Sequence, residues 1–211
     1  MSDFESEDNK NYSKPEWWDG EYAKCSKNDQ YEWYTGSYDE DFIKLLCKLI
    51  PNYESKIVHF GCGISRIQET LYDKGYHDIT NNDISEKCIQ LMKESDTRGM
   101  KWDIVDVLNP LPYADESFDV ALDKGTLDAV ILEKADKWEI DEEAYEISGK
   151  YFNEVSRILK PGGVFIQISF GQPHFRRRIF QREQFNWTVN VETLPPKKTF
   201  HFFAYVCRKN E

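Results

Sequence analysis

Three short stretches carry residue types able to hold a nucleotide-like ligand. Gly61-Cys62-Gly63 stands directly after the apolar run Ile57 to Phe60. Glycines let the backbone approach a ligand closely, and the N-terminus of a following helix attracts negative groups. Asp83 lies 22 residues after Gly61, where an acid at a strand end accepts hydrogen bonds from ribose hydroxyls; the alternative is a capping turn with Ser85. Asp106-Val107 ends a third apolar run. An acid there accepts an adenine amino group while the next backbone N–H donates to the ring, or it is a plain turn residue. Together the three imply an adenosine. The stretch from Gly61 to Arg66 has Arg66 where a dinucleotide fingerprint has its third glycine, the one that packs a helix close under a pyrophosphate. S-adenosylmethionine has no pyrophosphate, so it suits this pattern better than a nicotinamide dinucleotide.

The elements needed to position these groups are legible as alternating strands and helices. Asp41 to Ile50 has an apolar side at helical spacing, and Pro51 stops it. Ile57 to Phe60 reads as a first strand, and Ser65 to Lys74 as a helix closed by Gly75. A strand over Asp78 to Asp83 precedes a helix capped by Ser85 and running through Lys93. Lys101 to Val107 and Phe118 to Leu122 read as strands, and Thr126 to Lys134 and Glu142 to Leu159 as helices. Pro161-Gly162-Gly163 turns the chain into a strand from Val164 to Ser169. Asn186 to Thr193 and Phe200 to Arg208 close the pattern, joined around Pro195-Pro196. Such alternation predicts an α/β fold with a parallel sheet covered on both faces. The last two strands leave no room for a crossover helix, so they form an antiparallel hairpin. The expected fold is a Rossmann-like, seven-stranded, mostly parallel sheet with helices on both faces.

Composition narrows the function class. The chain has 211 residues, enough for one well-cored domain. Residues 1–13 read as a mobile acidic tail and 14–211 as a single domain. Its first part, 14–40, holds Trp17, Trp18, Tyr22, Tyr31, Trp33, Tyr34 and Tyr38. No apolar run reaches the roughly 20 residues of a membrane span, and the N-terminus lacks a signal peptide's pattern. Cys25, Cys47, Cys62, Cys88 and Cys207 are scattered without a C-x-x-C pair, and the four histidines show no metal-ligand spacing. This predicts a reduced, cytoplasmic compartment and no metal. A net charge of −11 disfavours nucleic acid. It fits a basic protein partner, a small molecule, or simple solubility.

Several runs carry a family likeness: Trp18-Asp19-x-x-Tyr22, Tyr31-Glu32-Trp33, Leu71 to Tyr76, Asp83-Ile84-Ser85, Asp123-Lys124-Gly125-Thr126-Leu127-Asp128-Ala129, Leu159 to Gly163, and Pro173-His174-Phe175-Arg176. Through them the chain, from about Trp17 to Lys209, resembles the lysine methyltransferases of translation elongation factor 1-alpha, of the methyltransferase-like 13 type and its shorter relative. The resemblance implies a class I methyltransferase using S-adenosylmethionine. It further implies that Trp18, Tyr22 and Trp33 line the cofactor as an aromatic lid, together with Gly61, Cys62, Gly63, Asp83, Ile84, Asp106, Val107 and Lys124. Aromatic faces attract a sulfonium cation, although the same rings could serve only to cover one end of the sheet. His59 and Ile64 depart from the pattern: many methyltransferases have an acid at the first position, and this group usually has Asn at the second.

After the fourth strand, Asp123-Lys124-Gly125-Thr126 lacks the N-P-P-[YF] run of nucleobase methyltransferases. Asp123 and Asp128 are the candidate substrate contacts, with a solvent-facing Asp128 as the alternative. Arg176, Arg177, Arg178 and Arg182 read as a solvated surface cluster, with orientation of a protein substrate's acidic groups as the alternative. The leading expectation is transfer to a protein lysine, elongation factor 1-alpha or similar. A small-molecule acceptor, or a cofactor-binding regulator without catalysis, are the alternatives.

Overall fold

In the computed structural model, residues 11–36, 39–132, 140–194 and 201–211 are described. The elements are α1 (Pro15–Tyr22), α2 (Glu40–Leu49), β1 (Ile57–Phe60), α3 (Ile67–Asp73), β2 (Ile79–Asp83), α4 (Glu86–Ser95), β3 (Lys101–Ile104), β4 (Phe118–Lys124), α5 (Thr126–Leu132), α6 (Glu142–Ile158), β5 (Leu159–Ser169), α7 (Pro173–Phe180), β6 (Trp187–Thr193) and β7 (Phe203–Lys209). One seven-stranded sheet runs in the order β3-β2-β1-β4-β5-β7-β6. Pairs from β3 to β5 are parallel, and β7 lies antiparallel to both β5 and β6. This is the expected Rossmann-like sheet. Strand order reverses between β1 and β4, so their carboxyl ends open the crevice in which such sheets bind ligands.

Local signals account for most element starts. Asp39 accepts hydrogen bonds from the backbone N–H groups of Asp41 and Phe42 and so caps α2. Ser85 Oγ caps α4 through Cys88 N, and Asp141 caps α6 through Ala144 N. Each satisfies a helix-end donor that has no partner within the helix.

Apolar residues on the two sides of the sheet form two cores. Phe42, Leu46, Ile67, Leu71, Ile89 and Met92 pack with inward residues of one face. Phe152, Val155, Ile158, Ile179, Phe180 and Phe185 do so on the other. Phe152 anchors the second core. Its ring stacks on Phe180 at a centroid distance of 4.7 Å and meets Phe165, Phe185 and Trp187 at 5.6–5.7 Å.

Several details depart from the sequence expectations. The third strand stops at Ile104, so Asp106-Val107 sits in the loop beyond it. Lys160 to Gly163 lie inside β5 as a bulge: the pairing passes from Phe118 with Leu159 to Val120 with Val164, and the chain turns at Gly162 with φ of 74°. A Cβ on Gly163 would come within 2.8 Å of the Lys160 carbonyl, so the irregularity needs glycine there. The aromatic N-terminal stretch contains a helix, α1, which its irregular apolar spacing did not reveal. Tyr12, placed by composition in the polar tail, is buried with only 4% exposure. Tyr38, Pro195-Pro196 and the end of the helix expected over Thr126 to Lys134 lie outside the described residues. No helix among those described is long and apolar enough to cross a membrane.

Replacing Phe152 with Ala removes the ring on which the second core closes. It is expected to cost about 3–5 kcal/mol of stability, read as a lower midpoint in urea denaturation.

Candidate active site

The site begins where β1 ends. Gly61 has φ of 52°, and a Cβ on it would lie 2.0 Å from Thr126 Oγ1. Glycine is required there by both conformation and space. Thr126 Oγ1 in turn donates to the Phe60 carbonyl at 3.0 Å, tying the start of α5 to the end of β1. Gly63, with φ of 49°, donates its N–H to Asp83 Oδ2 at 2.9 Å. Asp83 Oδ1 accepts from Ser85 N at 3.0 Å. Burial raises the Asp83 carboxyl pKa, against the opposing effect of these backbone donors.

The N-terminal segment is held onto this frame by two carboxylates. Asp19 Oδ1, on α1, accepts from Ser85 Oγ at 2.5 Å and from Lys87 N at 3.0 Å, both at the start of α4. The Glu32 side chain is 2% exposed; its Oε2 accepts from Ser65 Oγ at 2.7 Å and its Oε1 from Arg66 N at 2.9 Å. Glu32 Oε2 also lies 3.4 Å from Lys124 Nζ, which donates to the Trp33 carbonyl at 2.9 Å. Burial lowers the Lys124 pKa, opposed by Glu32. Neither Asp19 nor Glu32 was singled out from sequence. The only signal was their place inside the Trp18-Asp19 and Tyr31-Glu32-Trp33 runs.

A pocket opens between this segment and the strand ends. Trp18, Tyr22, Trp33, Gly61, Cys62, Gly63, Asp83, Ile84, Asp106, Val107 and Lys124 all border it. Trp18 stacks on Tyr22 at 5.9 Å, and its Nε1 donates to the Tyr12 carbonyl at 2.8 Å. Asp106 Oδ1 accepts from Leu108 N and Oδ2 from Asn109 Nδ2, so the carboxylate also shapes its own turn. Ala129 and Val130 from α5 add an apolar wall. Two carboxylates, a glycine turn without room for side chains, an apolar slot and aromatic faces match the parts of an adenosyl sulfonium.

A profile described as a methyltransferase domain matches residues 52–201. EEF1A lysine methyltransferase 4 of Mus musculus is 31% identical over 207 residues, covering 96% of this chain and 78% of that protein. The eEF1A lysine and N-terminal methyltransferase of Homo sapiens is 34% identical over 216 residues, covering 94% of this chain but 29% of that longer protein. The chain belongs to the elongation factor 1-alpha lysine methyltransferase family. A SAM-dependent methyltransferase from Methanosarcina mazei shares the fold, with a TM-score of 0.59 at 17% identity, over 78% of this chain and 97% of that one. The cofactor of this methyltransferase is S-adenosylmethionine, which fits the residues around its pocket.

The two positions that the sequence set apart from the family pattern, Ile64 and His59, are placed differently. Ile64 is buried and borders the pocket. His59 is buried in the sheet; burial and then Lys124 lower its pKa to about 3, so its imidazole is neutral.

The expected substrate contacts are placed differently. Asp123 is fully buried and turned to the start of α5, accepting from Thr126 N at 2.9 Å, Leu127 N at 3.2 Å and Tyr151 Oη at 3.0 Å. Burial, followed by Asp128, pushes its pKa up to about 7. Asp128 is also fully buried and does not face solvent. It accepts from Tyr34 Oη at 3.0 Å and Ser169 Oγ at 2.9 Å and pairs with Arg176 Nη2 at 3.0 Å. Neither aspartate borders the pocket. The arginine cluster is divided. Arg177 and Arg178 are exposed, whereas Arg176 is buried on Asp128, and Arg182 is half-buried over the Tyr145 ring, 3.5 Å from its centroid. Helical spacing on α7 turns Arg176 inward, which the bare run of charges does not reveal.

Two outcomes are expected from these buried charges. Glu32→Leu leaves Lys124 buried without its partner and is expected to cost about 3–5 kcal/mol; adding Lys124→Met should recover much of the loss in a double-mutant cycle of urea unfolding. Asp123, whose folded pKa lies above that of the unfolded chain, contributes stability below pH 3.8 that is lost as pH rises to about 7. The stability difference between the wild type and Asp123→Asn should therefore shift against the wild type across that window and level off above it.

Proposed function

We propose that this methyltransferase transfers a methyl group to a lysine side chain of a protein, elongation factor 1-alpha or one like it. The similarity to EEF1A lysine methyltransferase 4 of Mus musculus over 96% of the chain carries the reading. S-adenosylmethionine supplies an electrophilic methyl on a sulfonium when bound. In this reading Asp83 holds ribose hydroxyls, Asp106 and the Val107 N–H hold adenine, and Gly61 and Gly63 leave the backbone free to approach. Trp18, Tyr22 and Trp33, within the segment 14–40, form a lid over the cofactor that faces a cation and excludes water. Lys124 keeps the lid in place by donating to the Trp33 carbonyl.

A lysine acceptor has a free pKa of about 10.4 and must lose its proton before it attacks. Burial beside aromatic rings disfavours the ammonium and promotes that loss. Catalysis then rests on positioning the amine in line with the methyl. Asp123 and Asp128 serve as positioning residues: one orients α5 behind Lys124, the other holds Tyr34. The five cysteines, all free thiols, support a reducing cytoplasmic setting. The acidic surface suits a basic protein partner.

Incubation of the chain with methyl-labelled S-adenosylmethionine and a cell extract tests this reading. A single labelled protein that yields methyl-lysine on hydrolysis is expected. Label confined to small metabolites would instead establish a small-molecule acceptor.

A further inference from the structure

Cys62 and Cys88 are far apart in sequence and carry no metal-binding spacing. The fold brings them together beside Asp83, with one ligand atom from each within 4.8 Å of the others. The three groups come from three elements: the turn after β1, the end of β2 and the first turn of α4. All are buried, Cys88 fully, Cys62 at 2% and Asp83 at 6% exposure. Cys62 and Asp83 border the cofactor pocket, which leaves an entry path from solvent.

We propose that Cys62, Cys88 and Asp83 form a binding site for a thiophilic divalent cation of the zinc type, and that its occupation excludes the nucleoside of the methyl donor. Two sulfurs and one oxygen are donors such a cation selects, and its bonds of about 2.0–2.3 Å require only a modest inward closing of the three side chains. The two thiols would each release a proton to solvent and bind as thiolates, while Asp83 binds as a carboxylate. Burial, followed by a hydrogen bond with Cys62 and the charge of Asp83, raises the Cys88 thiol pKa and so favours the neutral thiol. A divalent charge among these groups reverses that preference. Tyr22, close enough to feel Asp83, Cys88 and Cys62, or a water would complete a tetrahedron.

The site is not a folding requirement. Asp83 is already satisfied by the N–H groups of Gly63 and Ser85, and Cys88 N by Ser85 Oγ. The cation would therefore act as an inhibitor of a preformed pocket. The exclusion rests on the reading of Asp83 as the ribose partner; the cation site itself does not.

Titration of the reduced full chain with cadmium(II), followed by its ultraviolet sulfur-to-metal absorption, tests the proposal. The wild type should take up a single ion with that band. Cys88→Ala and Cys88→Val should bind it at least about tenfold more weakly, while keeping the thermal shift given by S-adenosylhomocysteine, which shows that they fold. S-adenosylhomocysteine should raise the apparent Kd of the wild type for cadmium. Absence of the band, or a band of equal strength in both variants, would overturn the site whatever the methyl-transfer assay shows. A band that depends on Cys88 but does not respond to S-adenosylhomocysteine would overturn the exclusion, and with it the assignment of Asp83 to ribose.

Discussion

The buried carboxylate of Glu32 joins three pieces of chain that share no secondary structure. Its oxygens accept from Ser65 Oγ and Arg66 N after β1 and pair with Lys124 at the end of β4, while Lys124 reaches back to the Trp33 carbonyl. A buried ion pair stabilises only where its remaining hydrogen-bonding capacity is met, and here backbone and hydroxyl donors meet it. The packing is tight enough that a Cβ on Gly36 would overlap the Glu32 side chain, at 2.3 Å from its carboxyl carbon. The contact matters because α1 itself has no buried residue, and it shares the hold on the segment with Asp19 bound to α4 and Tyr34 bound to Asp128.

Docking the segment turns an open strand-end crevice into a pocket lined on one side by Trp18, Tyr22 and Trp33. Asp19 provides the second attachment, at the start of α4, so the segment is tied on both sides of the glycine turn. Water exclusion also explains the direction of the pKa shifts: burial is the largest cause for Asp83, Asp123, Lys124 and His59 alike. In such surroundings a charge on a bound ligand meets fixed dipoles and carboxylates and not solvent, which strengthens its recognition.

Periodicity and punctuation revealed the sheet and its helices because those signals are local. The G-C-G turn, the acid that ends β2 and the closing hairpin all lie where alternation put them. Local signals failed where long-range contacts decide. Lys160 to Gly163 bulge within β5, between the pairs Phe118 with Leu159 and Val120 with Val164, whereas Pro-Gly-Gly alone indicates a turn ahead of the strand. Asp128 and Arg176 were read as solvent-facing or as possible substrate contacts because each is a charge in a short run. They are buried because each neutralises the other beneath Tyr34.

By itself the sequence determined the mostly parallel sheet with its closing hairpin and the glycines and acids at or just beyond its strand ends, since these follow from spacing along the chain. Its motifs also indicated the family. Only the tertiary structure decided which polar groups are buried together: Glu32 with Lys124, Asp128 with Arg176, and Cys62 with Cys88 beside Asp83. Such pairings depend on which face of each element meets its neighbour across the sheet, and no spacing within a single segment encodes that.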